Sequence, residues 1–358
     1  VAFKKKVGNE LVDITDIHEH RYAEAFCANV RETAVNINYG STPNISDPQS
    51  IDADENCIMG AVYGGGEDGH VYENTAITFE EGLTGLSIYG GGKGEGTYTG
   101  TKYVYNESTK TWTKTDNVPD IPSWTAGKVY GNTSITMTGG HVMGNVYGGG
   151  NLGSVGKGNY AGGADDYYKP GYGETLYYGE GNANNANLWT ATQGFNPNAP
   201  ITSSNQPKTM ADYFLSSGKC TISITGGKVG TLNGLYGTVG GTSNGTPTGM
   251  IFGGSRGRAA QDVGALSPRY HYAPDFFLGY CNNTEVTIGT RDADTGPRIC
   301  SQVFGGARDG HVRGSAKVEV NSGTIGQTYA ETEAVGTTDV DYQRYHRGNV
   351  YGSGSGLR

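Results

Sequence analysis

The stretch that decides the fold is residues 127–150, which read GKVYGNTSITMTGGHVMGNVYGGG. It contains an alternating segment that ends in Gly-Gly, and an aliphatic–aromatic pair that is followed by glycines. Alternation places Ile135 and Met137 on one face of a strand and Ser134 and Thr136 on the other. The glycines permit tight corners, because Gly adopts backbone conformations that are closed to other residues. Each motif therefore predicts one short strand followed by a turn.

Both motifs recur along the chain. The aliphatic–aromatic pair occurs six times, at Val62-Tyr63, Ile88-Tyr89, Val146-Tyr147, Ile251-Phe252, Val303-Phe304 and Val350-Tyr351. The alternating segment recurs at 34–40, 76–82, 133–140, 221–227, 284–289 and 317–323. Val62 lies 15 residues before Ile77, which lies 11 residues before Ile88. An uninterrupted repeat is therefore about 26 residues long, which is the length of one turn of a solenoid.

This repeat predicts an all-β fold, a right-handed parallel β-helix (β-solenoid) of about six coils. One coil cannot bury its apolar side alone, so successive coils must stack and pair their backbones. Stacking predicts an inner column made of Val62, Ile88, Val146, Ile251, Val303 and Val350. A β-propeller is the alternative, but its blades need about 40–50 residues each. The presence of only 12 Leu beside 61 Gly excludes a helix bundle.

Insertions of unequal length interrupt the repeats. We assign residues 1–32 to an N-terminal lead-in or cap and residues 33–358 to the solenoid, with insertions at about 93–125, 151–218, 255–282 and 324–348. Such insertions project from the rod as loops and often carry binding contacts. We expect one short helical turn at 210–215, and a short helix or an irregular segment at 10–26. Because the repeat restarts at Val350, we expect a slice of a longer rod or a unit that another chain continues.

The net charge, the hydropathy and the cysteine spacing argue against several classes of partner and site. The net charge is −9, and the basic run at residues 4–6 is too short to track phosphates, which argues against nucleic acid. No apolar stretch approaches 18 residues, so we predict no insertion into a membrane. The cysteines form no C-x-x-C pair, which argues against a zinc site and a disulfide scaffold. We interpret Cys27, Cys57, Cys220, Cys281 and Cys300 as small buried side chains, with a Cys281–Cys300 disulfide as the alternative.

The motif at 127–150 resembles the repeats of large, secreted, Gly-rich surface proteins of gut and oral Bacteroidetes. The resemblance covers the coil cores, about half of the chain, and not the insertions. It implies an exported, repetitive protein that is adhesive or filamentous, and it carries no catalytic motif across. The chain departs from the pattern at Leu235-Tyr236-Gly237-Thr238, where the glycine run is broken.

Aromatic residues are the leading candidates for binding. Each follows the inner aliphatic residue by one position, so alternation turns it to the outer face. There a ladder would form from Tyr63, Tyr89, Tyr147, Phe252, Phe304 and Tyr351. The ladder either packs beneath the insertions or offers an apolar strip to another chain or a glycan. The second insertion adds rings of a kind that suits adhesive surfaces, namely Tyr167, Tyr168, Tyr172, Tyr177, Tyr178 and Trp189.

Two acidic turns are candidate calcium sites. Asp52 and Asp54 alternate on one turn, and Asp292 and Asp294 alternate on another, so that their carboxylates could converge on one cation. Neither turn follows the full calcium-loop pattern, so we interpret these residues first as solvated carboxylates and keep calcium as the alternative. We predict no other cofactor.

The chain shows no convergent catalytic group. Asp68/His70 and Asp309/His311 occupy the same place in two different repeats, which is typical of turn residues, whereas a catalytic pair needs a single site. We therefore predict a non-catalytic structural or adhesive segment, extracellular or on the cell surface, with other protein chains or surface glycans as partners. The alternatives are a carbohydrate-active β-helix, acting as a glycan-binding module or as a polysaccharide lyase or hydrolase, and a phage tail-fibre segment.

Overall fold

The computed structural model describes residues 4–7, 10–13, 29–44, 57–106, 111–122, 126–156, 158–160, 164–165, 189–190, 194–195, 213–215, 217–231, 248–258, 278–335 and 338–355. All secondary-structure elements in these ranges are β-strands, which confirms the all-β fold class. Within the same ranges, no helix is long and apolar enough to cross a membrane.

Three parallel sheets of six strands each form the walls of the molecule. The long sheet consists of Thr33–Asn38, Thr75–Glu81, Thr133–Met137, Lys219–Ile224, Asn283–Ile288 and Ala316–Val320. The second sheet consists of Cys57–Ile58, Leu83–Thr84, His141–Val142, Lys228–Val229, Arg298–Ile299 and Thr324–Ile325. The third consists of Val62–Tyr63, Ile88–Tyr89, Val146–Tyr147, Ile251–Phe252, Val303–Phe304 and Val350–Tyr351. One strand from each sheet makes one coil, so the chain forms coils 1 to 6 of a parallel β-helix, as predicted.

Equivalent residues of successive coils pair in register. Ile135 of coil 3 pairs with Ile77 of coil 2 on one side and with Ile222 of coil 4 on the other. Along the same strand Ile135 and Met137 are buried, whereas Thr136 is exposed. The period-2 alternation therefore sets which side chains enter the rod, and the stacking of the coils sets which of them touch.

The core is one continuous cluster inside the rod. It holds the predicted inner column as far as coil 5, with Val62, Ile88, Val146, Ile251 and Val303 all buried. The long sheet contributes a second and third column to the cluster, and the second sheet contributes Val142, Val229 and Ile299. In coil 6 the column ends at Val350, which is 45 % exposed.

A fourth, shorter column lies where the chain passes from the third sheet of one coil to the long strand of the next. Isolated parallel bridges join Val30 to Val71, Val71 to Val129 and Val129 to Val155. The strand Tyr280–Cys281 then pairs in parallel with His311–Val312. Val155 and Cys281 thus belong to the coil wall, although both lie within ranges that the sequence assigned to insertions.

The insertions contain antiparallel strands. Thr97–Asn106 pairs with Thr111–Pro122 in the first, and Gln327–Val335 pairs with Thr338–Arg347 in the fourth. In the second, Gly158–Tyr160 pairs with Ala164–Asp165 and with Tyr213–Leu215, and Trp189–Thr190 pairs with Gly194–Phe195. At the N-terminal side Lys4–Val7 pairs with Glu10–Asp13.

One local prediction was wrong. The expected helical turn at 210–215 is in fact a strand over Tyr213–Leu215, because aromatic residues favour strands and a partner strand lies alongside. Of the range 10–26, which was expected to be a short helix or an irregular segment, the structure describes only the strand Glu10–Asp13, and residues 14–26 lie outside the described ranges. At Tyr213–Leu215 pairing with Gly158–Tyr160, more than 50 residues earlier, overrode the weak local preference.

Candidate functional site: the aromatic ladder and its polar border

Six aromatic rings form one continuous stack along the third sheet. Successive centroids lie 4.8–5.1 Å apart, and the planes differ by 4–10°. This spacing equals the ordinary distance between neighbouring strands, so the pairing of coils fixes the stacking of the rings. The rings belong to Tyr63, Tyr89, Tyr147, Phe252, Phe304 and Tyr351.

The middle of this aromatic ladder is buried. Tyr89, Tyr147, Phe252 and Phe304 form a hydrophobic cluster of their own, separate from the main core. Burial raises the pKa of the Tyr89 hydroxyl well above its ordinary value of 10. Tyr351 of coil 6 is 40 % exposed, whereas Phe304 directly below it is 6 % exposed. The ladder is therefore a second core along most of its length and is most accessible at coil 6.

A column of polar residues borders the ladder. Each member follows a glycine run, and its backbone N–H donates to the preceding coil: Lys93 to Gly66, Asn151 to Gly92, and Arg256 to Gly150. We call Glu67, Lys93, Asn151, Arg256 and Arg308 the polar border. This column was not predicted from the sequence, although every coil carries a polar residue four positions after its ladder residue.

The polar border is linked by side-chain contacts from coil to coil. Lys93 Nζ lies 2.9 Å from Glu67 Oε1 and 3.1 Å from Glu95 Oε2. Asn151 Nδ2 donates to Glu95 Oε1 at 2.7 Å, and Arg256 donates to Asn151 Oδ1 at 2.9 Å. The hydrogen bond from Lys93 holds the pKa of Glu67 below its ordinary value. Since the side chains of Glu67 and Lys93 are 75 % and 31 % exposed to solvent, these ion pairs add little to stability.

In coils 4 and 5 the border approaches the ladder directly. Arg308 Nε lies 3.3 Å from Asp309 Oδ2, and against the opposing effect of burial the nearby Tyr147 raises the pKa of Arg308. Burial raises the pKa of Asp309, although the nearby Arg308 and Arg256 act in the opposite direction.

The two Asp/His pairs serve in turns and in packing. The Asp68 carboxylate accepts the Gly96 N–H at 2.8 Å, which closes a turn. The His70 ring is buried with its edge toward Tyr130, at a centroid distance of 5.7 Å. His311 lies in a different coil, 6.2 Å from the Tyr280 ring.

The predicted calcium ligands lie partly inside the described ranges. Asp292 and Asp294 are exposed, and Asp292 adopts a left-handed backbone (φ 59°), which Asp tolerates in turns. Among the described residues no group of three His, Cys, Asp or Glu could hold a metal ion. Asp52 and Asp54 lie outside those ranges, as do Tyr167, Tyr168, Tyr172, Tyr177 and Tyr178. Trp189 is placed only as part of a short strand.

The class of protein that this fold defines is the parallel β-solenoid, with three walls and an aromatic ladder on one of them. The chain has no significant match to a protein-family model, a curated protein or a solved structure. Whether the ladder and the Tyr-rich insertion bind a partner stays a prediction.

Proposed function

We propose that the chain is a non-catalytic structural segment of an extracellular bacterial surface protein or filament, in which a further coil, of the same protein or of another chain, stacks on coil 6. The single observation that carries the proposal is the open edge of coil 6, formed by Val320, Val350 and Tyr351. These side chains are 46 %, 45 % and 40 % exposed. The equivalent side chains of coil 5 are 0 %, 0 % and 6 % exposed.

The backbone at this edge is also positioned to pair with a further coil. In coils 1 to 5 the N–H of the inner aliphatic residue donates to the next coil, as in Val146 to Met250 and Val303 to Asn349. The equivalent N–H of Val350 lies at the outer edge of coil 6, beyond which the described ranges contain no further coil. Proteins usually blunt such edges with charges or bulges, because an open edge pairs with other chains. An added coil would pair with this edge and cover the three apolar side chains.

The distribution of chemistry along the rod supports a structural role over an enzymatic one. Equivalent residues repeat from coil to coil, as in the ladder and the polar border, and an enzyme instead gathers unlike groups in one pocket. The resemblance of residues 127–150 to repetitive surface proteins of Bacteroidetes supports the extracellular assignment. Glycans remain the second class of partner to test, with the Tyr-rich insertion as the contact.

Substitution at the open edge tests the proposal. Val320→Lys combined with Val350→Lys places charges on the edge without emptying a buried site, because both side chains are already half exposed. We expect the parent chain to form end-to-end rods in electron micrographs and the double variant to remain a 37.7 kDa particle by light scattering.

Leu86→Lys is the matched control. Leu86 is 38 % exposed on the side of coil 2, so the same change of residue type occurs away from the open edge. The control should assemble like the parent. A parent chain that stays monomeric at high concentration, or a double variant that still forms rods, would refute stacking through coil 6.

A further inference from the structure

A column of threonines stabilises the corner where the long strand begins in coils 1, 2, 3 and 5, whereas coil 6 has Ala316 at this position. The hydroxyls of Thr33, Thr75, Thr133 and Thr284 each donate to the carbonyl of the first glycine after the aromatic residue of their own coil, at 2.5–2.6 Å. Strand register places Cys220 at the same position in coil 4, between Thr133 and Thr284. Coil 4 thus has a thiol where these four coils have a hydroxyl.

The neighbouring column is made of valines and changes once. It runs through Val30, Val71, Val129 and Val155 of coils 1 to 4. The Val155 N–H donates to the Tyr280 carbonyl, which places Cys281 next in the column, and Cys281 pairs with Val312 of coil 6. Cys281 is therefore the one member of this column that is not valine.

The two departures meet at one point. Cys220 and Cys281 are both 0 % exposed and belong to the same buried cluster. Cys220 comes from coil 4 and Cys281 from coil 5. Each of the two columns thus has a cysteine in place of its usual residue, and these two cysteines lie where the columns meet.

We propose that Cys220 and Cys281 form a disulfide bond that ties coil 4 to coil 5. The Asn282 N–H donates to the Gly218 carbonyl and Lys219 pairs with Asn283, so Cys220 and Cys281 lie within two residues of the same contact between the two coils. Both side chains enter one buried cluster, and a disulfide requires such proximity.

The bond would make a covalent loop of the chain from Cys220 to Cys281, which includes most of the third insertion. It would add a covalent link between two coils that are otherwise joined by backbone pairing and packing. This site is independent of the stacking at coil 6. It differs from the Cys281–Cys300 alternative, since Cys300 lies beside Gly249 at another corner.

The chemistry requires an external disulfide as oxidant. The thiols are free in this structure. The Cys281 thiolate attacks the oxidant disulfide and forms a mixed disulfide, which releases one thiol of the oxidant. The Cys220 thiolate then attacks the Cys281 sulfur and releases the second. Two thiol protons and two electrons pass to the oxidant in total, which leaves as two thiols.

Timing follows from burial. The neighbouring Cys220 thiol and burial raise the pKa of Cys281, so the thiol is a poor nucleophile once the coils have closed. The bond therefore forms while coil 5 docks on coil 4. An oxidising compartment, such as the one that an exported protein passes through, supplies a suitable oxidant.

Peptide mapping tests the proposal on the full chain. The denatured, reduced protein is refolded in a buffer of reduced and oxidised glutathione, alkylated and digested with trypsin without reductant. We expect a linked pair of peptides spanning residues 220–228 and 270–291. Alkylation of both cysteines, or a link from 270–291 to the Cys300 peptide 299–308, would overturn the proposal.

The melting temperatures of variants that carry the usual residue of each column give a second test. Cys220→Thr and Cys281→Val insert the residues that other coils use at these positions, so both variants should fold. Cys300→Ser is the matched control, because Cys300 is also buried and free. Omitting reductant should raise the Tm of the refolded parent and of Cys300→Ser by about 5–10 °C. Cys220→Thr and Cys281→Val should show no such rise, and a rise in either would also contradict the bond.

Discussion

Single side chains complete the hydrogen bonding at the corners of each coil. The Asn132 amide oxygen accepts the N–H groups of Gly218 and Lys219 in the next coil, at 3.1 and 2.8 Å. Asn74 accepts the Asn132 N–H at 2.9 Å in the same way. Corner backbone groups cannot pair as strands do, and buried donors left without a partner are costly. The abundance of Asn and Thr in the turns follows from this demand.

A buried histidine should make stability depend on pH. His141 is 5 % exposed, and its Nε2 lies 2.9 Å from the Gly230 carbonyl oxygen. Burial lowers its pKa below the ordinary 6.5, with a further lowering by Lys228 and an opposing effect of the bond to Gly230. The unfolded chain then binds more protons than the folded one between the two pKa values. The contribution of His141 is therefore complete above the unfolded pKa of about 6.5 and is lost as the pH falls toward the folded value.

His141→Gln checks this dependence, because glutamine keeps a donor for the Gly230 carbonyl and does not titrate. We expect the Tm of the parent to fall more than that of the variant between about pH 7.5 and pH 5.5. Thermal unfolding at both pH values measures the difference. Equal losses in the two proteins would show that His141 does not contribute.

At the scale of the element, the glycine runs let neighbouring coils approach closely. A Cβ added at Gly148 would contact the Gly253 carbonyl oxygen of the next coil and would lie 3.2 Å from the Cys220 Cβ. Both neighbours belong to paired coils that cannot shift independently. The glycines after the aromatic residue are thus required by packing between coils, in addition to the turn itself.

Gly148→Ala should therefore destabilise the rod by about 3 kcal/mol, since overpacking against backbone atoms is not relieved by a side-chain rotation. Gly60→Ala is the control, because no heavy atom lies within 4 Å of a Cβ built there. Its effect should stay below about 1 kcal/mol. Denaturant unfolding measures both free energies, and similar values for the two variants would contradict the close-approach argument.

The six coils form a one-dimensional stack in which each coil packs only against the coils next to it. Stability in such arrays is a sum of coil and interface contributions, so a coil with a neighbour on one side only should open first. Inner residues of coils 3 to 5 are 0–1 % exposed, as at Ile135, Ile222 and Val286, whereas Val320 in coil 6 is 46 % exposed.

Amide exchange should follow this gradient. In the double variant Val320→Lys, Val350→Lys, which removes the effect of assembly, we expect the slowest exchange in the long strands of coils 3 and 4. The strands Ala316–Val320 and Val350–Tyr351 should exchange fastest among the coil strands. Mass spectrometry after deuterium labelling resolves these segments. Uniform protection along the rod would contradict the one-dimensional description.

Much of the architecture could be predicted because its causes are local. Period-2 alternation identified the inward side chains of Thr133–Met137, and the spacing of Val62, Ile77 and Ile88 identified the coil. The candidate site was predicted in part: the ladder residues were identified, and burial of the kind observed from Tyr89 to Phe304 was one of two alternatives that the sequence left open. Burial depends on what covers a ring, and the covering segments carry no periodic signal.

The sequence by itself determined the repeat length, the strands, the inner column and the succession of six coils. Only the tertiary structure decided that the insertions pair as antiparallel strands, that a polar border accompanies the ladder, and that Cys220 meets Cys281. The physical reason is that strand alternation is a property of consecutive residues, whereas contacts between coils depend on the stacking register. Insertions of unequal length separate the partners along the chain, so their spacing carries no trace of the contact.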